Sequence, residues 1–328
     1  MKKTPRGLAA AVFAVIAAGP VQAAEWKPDR NLEFIVPTGP GSGVDNTFRT
    51  VQSILQTARL VEQPIVVSNR AGGSYGVALN YLGQFNGDGT KLMIQTSTPL
   101  SAMVVGQLNV KYFEFTSVAN LISEPIAFMS RTESPITSGA ELAKRLKADP
   151  SSVSIALAAA RGNAYHIASA LLAKSLGADI KKLKIVVFNS SGEAMAALLG
   201  GHVDVLSATP GGFLPMVEAG KVRVLGLASP ARLGGALAKV PTLKEQGMNV
   251  VFDIARSVVG PRAMNPAQLV YWDGVFRKMV QTPQWKEAVA KNQWESDYKN
   301  SADTTKALKE EYEILKDVLT ELGMAKQQ

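Results

Sequence analysis

Ile35-Val36-Pro37-Thr38-Gly39-Pro40-Gly41-Ser42-Gly43-Val44-Asp45 is the stretch that decides the fold. An apolar run, Leu32 to Val36, stops at a proline. Small and polar residues follow. Phe48, Val51, Leu55 and Ala58 then recur at spacings of 3, 4 and 3, one face of a helix. A strand, a glycine-rich turn and a helix in that order make the first unit of an α/β protein. The turn lies where a helix N-terminus offers free N–H groups and the positive end of its dipole to an anion. Two nucleotide motifs fail here. A P-loop needs Gly-Lys-Ser/Thr, which is missing. A dinucleotide fingerprint needs an acid closing the second strand, but that strand ends Val66-Val67-Ser68-Asn69, and Pro40 removes a donor from the turn. Two readings remain: a seat for a carboxylate or phosphate on Thr38, Gly39, Pro40, Gly41 and Ser42, or a plain turn capped by Asp45.

Outward from this unit the alternation continues. Short apolar runs at Ile65–Val67, Leu92–Gln95, Ile126–Met129, Val153–Leu157, Ile185–Phe188, Val203–Leu206 and Val222–Ala228 read as strands. Helical patterns lie between them at Gly139–Lys147, Tyr165–Leu176, Glu193–Leu199 and Leu214–Glu218. Alternation of this kind predicts an α/β fold with mostly parallel sheets covered on both faces. Toward the end come a helix over Pro266–Val280 and a longer one from about Ala302 to Leu322. The apolar stripe of the longer helix is Leu308, Tyr312, Leu315, Leu319 and Leu322, with Gly323 as its stop signal. A chain of 328 residues exceeds one comfortable core, yet no Pro/Ser-rich linker divides it. Two lobes joined by strands reconcile these facts, with crossovers expected at the Ile126 and Val222 strands. The expected division is a leader over 1–23, one lobe from 24–125 and 229–328, and another from 126–228.

Composition narrows the chemistry. With 46% hydrophobic and 19% charged residues the chain is not a disordered one. It has no cysteine, which excludes disulfides, thiolate zinc sites, Fe–S clusters and cysteine nucleophiles. His166 and His202 are the only histidines, so a histidine-rich metal centre is excluded too. Neither a metal nor a cofactor is expected. Lys2, Lys3 and Arg6, the apolar run Leu8–Ala18 and Val21-Gln22-Ala23 make a secretory signal pattern, which predicts a soluble periplasmic product. The formal charge of +8 falls to +5 (32 basic against 27 acidic residues) without those three cations. The basic residues are scattered, with no aromatic-interleaved stripe, so nucleic acid is not an expected partner.

Four further turns follow strands and open helices. Gly72-Gly73-Ser74-Tyr75-Gly76 has the letters of a hydrolase nucleophile elbow, but Asn69-Arg70-Ala71 separates it from its strand, against the mechanics of that motif. A turn at a helix N-terminus accounts for the same residues. Ala159-Ala160-Arg161-Gly162-Asn163 precedes Tyr165 and His166. Arg161 can pair with a carboxylate in two-bond geometry or lie solvated on the surface, and His166 can serve as ligand contact or as local structure. Asn189-Ser190-Ser191-Gly192 and Thr209-Pro210-Gly211-Gly212 repeat the scheme. In open parallel sheets such strand ends converge on the ligand crevice. Tyr75, Tyr165 and Phe213 can line that crevice or pack within helices.

These loops, in this order, resemble the substrate-binding proteins of tripartite tricarboxylate transporters, the Bug-type extracytoplasmic receptors. The resemblance runs from Trp26 to Gly323. It is carried by Ile35-Val36-Pro37 with Asp45 and Arg49, by Val67-Ser68-Asn69-Arg70-Ala71-Gly72-Gly73, and by Gly200-Gly201-His202-Val203-Asp204-Val205. Glu218-Ala219-Gly220-Lys221-Val222-Arg223-Val224-Leu225 and Val240-Pro241-Thr242-Leu243-Lys244-Glu245-Gln246-Gly247 extend it. It implies a two-lobed periplasmic-binding fold with crossover strands and no catalysis. It also implies a small carboxylate ligand, delivered by a monomeric receptor to a permease of one large and one small integral subunit. The first-loop role falls on Thr38 through Ser42, supported by Asp45. The second-lobe role falls on Arg161, Gly162, Asn163, His166, Ser190 and Ser191. Ser74, Thr96, Ser97, Thr98 and Thr209 face the same crevice by topology. The chain departs from the family pattern at Gly39-Pro40-Gly41-Ser42-Gly43, at Arg70-Ala71 and at Ala160-Arg161-Gly162-Asn163. Arg161 and Asn163 there suggest a strongly anionic or hydrogen-bonding ligand: a di- or tricarboxylate, or an aromatic carboxylate. Two other readings compete: a secreted hydrolase using Ser74 and a histidine, and a sensor whose closed form docks on a signalling protein.

Overall fold

The computed structural model describes residues 26–326, so the expected leader lies outside the described residues. Strand β1 (Leu32–Val36) sends Leu32, Phe34 and Val36 into one apolar cluster and Ile35 into another. Burial on both faces is what its unbroken apolar sequence requires. Helix α1 (Gly43–Thr57) covers the first face, where Phe48 stacks on Phe34 with ring centroids 4.3 Å apart. Next come β2 (Ile65–Asn69), α2 (Gly76–Leu82), β3 (Lys91–Gln95) and α3 (Thr98–Val104). Strand β4 (Phe115–Pro125) follows, and Ile126 alone separates it from β5 (Ala127–Arg131) in a different sheet. The second lobe continues through α4 (Gly139–Ala148), β6 (Ser154–Ala158), α5 (Ala164–Ser175), β7 (Lys184–Phe188), α6 (Ser191–Leu199), β8 (Val205–Ala208), α7 (Leu214–Glu218) and β9 (Val222–Leu227). Residues 228–252 lead back to β10 (Asp253–Arg262). The chain ends with α8 (Pro266–Met279), α9 (Pro283–Asn292), β11 (Glu295–Lys299) and α10 (Ser301–Glu321).

One sheet has six strands in the order β11-β4-β10-β3-β1-β2, the other five in the order β7-β6-β8-β5-β9. Strand β1 runs parallel to β2 and β3, and β6 runs parallel to β7 and β8. The crossing strands are antiparallel to their neighbours: β10 to β3 and β4, β5 to β8 and β9. The result is the α/β class with two mixed sheets flanked by helices. Where the chain passes between sheets, Ala228 N donates to Ile126 O at 2.8 Å and Phe252 N to Ala228 O at 2.9 Å. Three segments thus lie side by side at the passage.

Helix α10 packs on β4 and α3 of the first lobe and on α5 of the second. Leu308, Leu315, Val318 and Leu319 are its buried residues at the core, as the helical stripe requires. Each fully buried leucine contributes roughly 2 kcal/mol. Lys174 of α5 also reaches Asp317 at 2.8 Å and Glu321 at 2.6 Å, but these groups are largely exposed, and such pairs contribute at most about 1 kcal/mol. Apolar burial therefore holds α10 across the lobes.

Carboxyl groups from β10, β11 and α10 gather in one place. A small cavity of about 220 Å³ there is lined by Asp253, Asp297, Glu310 and Glu311, with Lys299 paired to Asp297. Burial, then the neighbouring Asp253, pushes Glu311 up to about 8. Burial, then Asp297, pushes Asp253 up to about 6, and burial with Asp253 and Asp297 pushes Glu295 up to about 7. A carboxyl raised in the folded state holds a proton that the unfolded chain has already released. Its stabilisation is complete below about pH 4.5 and is lost as pH rises toward 8. Glu311→Gln removes that loss. Denaturant titration at pH 5 and pH 8 is expected to show the variant gaining at least about 1 kcal/mol on wild type over the interval. A difference independent of pH would mean that Glu311 stays ionised in the fold.

Candidate functional site

The β1–α1 loop folds into a knot of its own. Ser42 caps α1, its Oγ accepting from Asp45 N at 3.1 Å, and Thr38 Oγ1 lies 2.6 Å from Ser42 Oγ. Asp45, 2% exposed, accepts from Gly41 N and Arg49 Nε at 2.9 Å and from Asn69 Nδ2 at 2.8 Å. Burial alone would raise this carboxyl, but the bonds from Arg49, Asn69 and Gly41 outweigh it and hold the group below its ordinary value. Asn69 also donates to Thr38 O at 2.9 Å, so the end of β2 is tied to the end of β1. Gly41, at φ +77°, supplies the left-handed residue that the turn needs.

Beyond the knot a cavity of about 940 Å³ opens between the sheets. Four helix N-termini border it. Gly43 and Val44 begin α1, Thr98 begins α3, Ala164 and Tyr165 begin α5, and Ser191 begins α6. The first N–H groups of a helix have no partner within it. Asn163 caps α5 by accepting from His166 N at 3.1 Å, and Ser190 caps α6 by accepting from Glu193 N at 3.2 Å. Ser74 (φ +51°), Tyr75 (φ +76°), Ala159 (φ +70°) and Gln293 (φ +54°) also line the cavity. They are four of the six described non-glycine residues with positive φ, and such strain gathers where a site holds it in place.

Charge in the cavity is one-sided. Arg161, Arg256 and Lys291 line it, and Glu124 is the only carboxylate among its lining residues. Glu124 is already committed: Arg256 Nη2 is bonded to its Oε2, and Trp294 Nε1 donates to its Oε1 at 2.8 Å. Arg161 fixes one terminal nitrogen on Ile185 O at 2.9 Å and is otherwise exposed. Tyr75 OH lies 3.1 Å from Thr96 Oγ1, and Thr96 Oγ1 lies 3.1 Å from Thr98 Oγ1, so a hydroxyl chain edges the first lobe.

Of the residues singled out from sequence, Ser74, Thr96, Ser97, Arg161, Gly162, Asn163, Ser191 and Thr209 lie together on this cavity, as do Tyr75, Tyr165 and Phe213. Thr38, Gly39, Pro40, Gly41, Ser42 and Asp45 lie behind it in the knot, and the cavity meets their helix one step later, at Gly43, Val44 and Asn46. Ser190 caps α6 and His166 is buried under the Arg161 turn. Sequence reasoning missed Glu124, Arg256, Lys291, Trp294 and Met324. The first two sit on the crossing strands β4 and β10, which carry no regular hydrophobic period.

Residues 47–324 match the family model described as the tripartite tricarboxylate transporter family receptor. The "UPF0065 protein in gbd 5'region" of Cupriavidus necator is 27% identical, with 98% of this chain and 97% of that protein covered. A TctC solute-binding protein from Polaromonas superposes with a TM-score of 0.78 at 21% identity, over 90% of this chain and 99% of that one. Two Rhodopseudomonas palustris structures share the fold. MatC with bound malate has a TM-score of 0.71 at 21% identity, covering 89% of this chain and 99% of its own. Rpa4515 with adipate has a TM-score of 0.74 at 20% identity, covering 91% and 99%. The matched model describes receptors, not enzymes.

Ser74 therefore needs no nucleophile's role, and His166 has another task. Gly162 N donates to His166 Nδ1 at 2.9 Å, and Asn163 Nδ2 donates to Ala158 O at 2.7 Å. Burial, helped by the charge of Arg161, pushes the imidazole down to about 4, so it stays neutral and accepts that bond. A histidine lowered in the folded state takes its proton first when unfolded. The fold thus keeps its full stability above about pH 6.5 and loses it as pH falls toward 4. Unfolding titrations from pH 7 to pH 4.5 are expected to show wild type losing about 1 kcal/mol per pH unit more than His166→Gln. Parallel slopes would mean that the imidazole is protonated in place.

Proposed function

The chain belongs to the tripartite tricarboxylate transporter receptor family, and we propose that it captures a small carboxylate in the interlobe cavity and delivers it to a membrane transporter. The receptor works in the periplasm, reached through the N-terminal signal segment, and docks on a permease with one large and one small integral subunit. Its lobes comprise residues 24–125 with 229–328, and residues 126–228.

The observation that carries this reading is the charge balance of the cavity. Its one carboxylate is spent on Arg256 and Trp294, while Arg161, Lys291 and four helix N-termini face inward. An anion entering there meets oriented N–H dipoles and free positive charge without displacing an internal pair. The similar proteins crystallised with malate and adipate carry ligands of that class. Both are dicarboxylates, and a ligand with two anionic ends suits a cavity whose donors come from both lobes. Ser74, Thr96, Ser97 and Gly43 then serve one end, and Arg161, Asn163, Ser191 and Thr209 the other. The β1–α1 knot sets the position of α1 for the first of these.

The test is a thermal-shift screen of the mature protein against mono-, di- and tricarboxylates, aromatic ones included, because binding to the native state alone raises Tm. A shift with one class identifies the substrate class. No shift with any carboxylate, on protein that native mass spectrometry shows to be free of ligand, would refute the proposal. For the best ligand, Arg161→Ala is expected to weaken binding at least about tenfold, the loss of one charge-assisted pair. Unchanged affinity would remove Arg161 from the site.

A further inference from the structure

The chain's last described turn touches both lobes. After α10 ends, Met324 N donates to Leu319 O at 2.8 Å, and Lys326 N donates to Val104 O at 2.9 Å, at the end of α3 in the first lobe. The Met324 side chain lies over the second-lobe turn. A Cβ built on Gly162 would meet Met324 Cε at 3.1 Å and Leu319 Cδ2 at 3.3 Å. In the first lobe a Cβ on Gly106 would meet Lys326 Cδ at 2.5 Å. Two glycines, one in each lobe and both with positive φ (+74° and +83°), thus leave room for the same short segment. Met324 is also part of the cavity wall, between Ala102 and Val105 of the α3 region and the turn that carries Arg161.

We propose that Gly323 to Lys326 is a strap seated on both lobes, and that Met324 forms an end wall of the cleft that sets how long a ligand it accepts. The geometry supplies both parts. One apolar cluster runs from Leu100 and Val104 through Leu315 and Leu319 to Ile167 and Leu172, so the strap extends a core that already joins the lobes. His166 holds Gly162 N in place and thereby shapes the seat under Met324. Methionine is unbranched and adaptable, suited to fill an irregular end of a cavity. The wall's rule for ligand length rests on the carboxylate-receptor reading above, whereas the strap does not.

Two measurements test it. Hydrogen exchange is compared between the full chain and a chain ending at Gly323. The strap predicts exchange at least about tenfold faster in both Ser101–Gly106 and Ala159–Asn163, with β1 and β6 unchanged. Acceleration in only one lobe, or in neither, overturns it. Thermal shifts are then recorded over saturated α,ω-dicarboxylates of increasing chain length, for wild type and Met324→Ala. The wall predicts that the variant's best ligand is longer than wild type's, because truncation frees space at the end of the cleft. The same optimum in both proteins overturns the wall alone. Failure of wild type to bind any member overturns the wall together with the dicarboxylate reading, and the exchange result still decides the strap.

Discussion

A buried guanidinium fixes the geometry on which the cleft depends. Arg256 is 6% exposed on β10, and it binds Glu124 on β4 together with Gly43 O and Thr47 Oγ1 on α1. Removing such charges from water costs several kcal/mol per ion, so the arrangement survives only because several acceptors share the guanidinium. Its consequence is positional. The two crossing strands and the N-terminus of α1 are locked to one another at the cavity. Gly43 is the counterpart on the helix. A Cβ there would lie 3.1 Å from Arg256 Nη2, so the guanidinium and a side chain at the first position of α1 compete for the same space.

The lobes reach the same end by different local chemistry. In the first lobe a side-chain knot centred on Asp45 holds the loop, and the helix beyond it faces the cavity. In the second-lobe turn that carries Arg161 no acid is used. Asn163 caps the helix, neutral His166 accepts from the backbone, and small residues bring the chain close. An acid in the second turn would cancel the charge of Arg161 where it faces the cavity. An acid in the first loop does no such harm, because Arg49 and Asn69 neutralise and enclose it behind the site.

This difference explains how much could be read from the sequence. Strands β1, β3 and β6 are buried on both faces, so their apolar runs stand out. Helices α8 and α10 show their period because one face of each meets a core. Strands β4, β10 and β11 do not stand out. Asn120 and Ser123 on β4 bond Asp297 of β11, and Glu124 bonds Arg256 of β10, so polar residues that look like surface are paired with each other inside. The turns of the site were legible because glycine and small polar residues mark strand-to-helix joints. Arg256, Glu124 and Trp294 were not, since their roles arise from pairing between strands over a hundred residues apart. Met324 lay hidden for a similar reason: nothing local distinguishes a methionine after a helix stop from any other chain end.

The passage between lobes limits how the cleft can move. Ile126, Ala228 and Phe252 are joined by main-chain hydrogen bonds, so the lobes share a short ladder instead of a loose linker. Sliding the lobes past each other would break that ladder, whereas the Arg256 lock, whose members all lie in the first lobe, would stay intact. Bending about the ladder keeps its bonds, because they run across the bend. A bend that keeps the ladder has its axis at Ile126, Ala228 and Phe252. Such a bend must also shear the packing of α10 and Met324 between α3 and α5, so those contacts limit how far the Arg161 turn can travel from the first lobe.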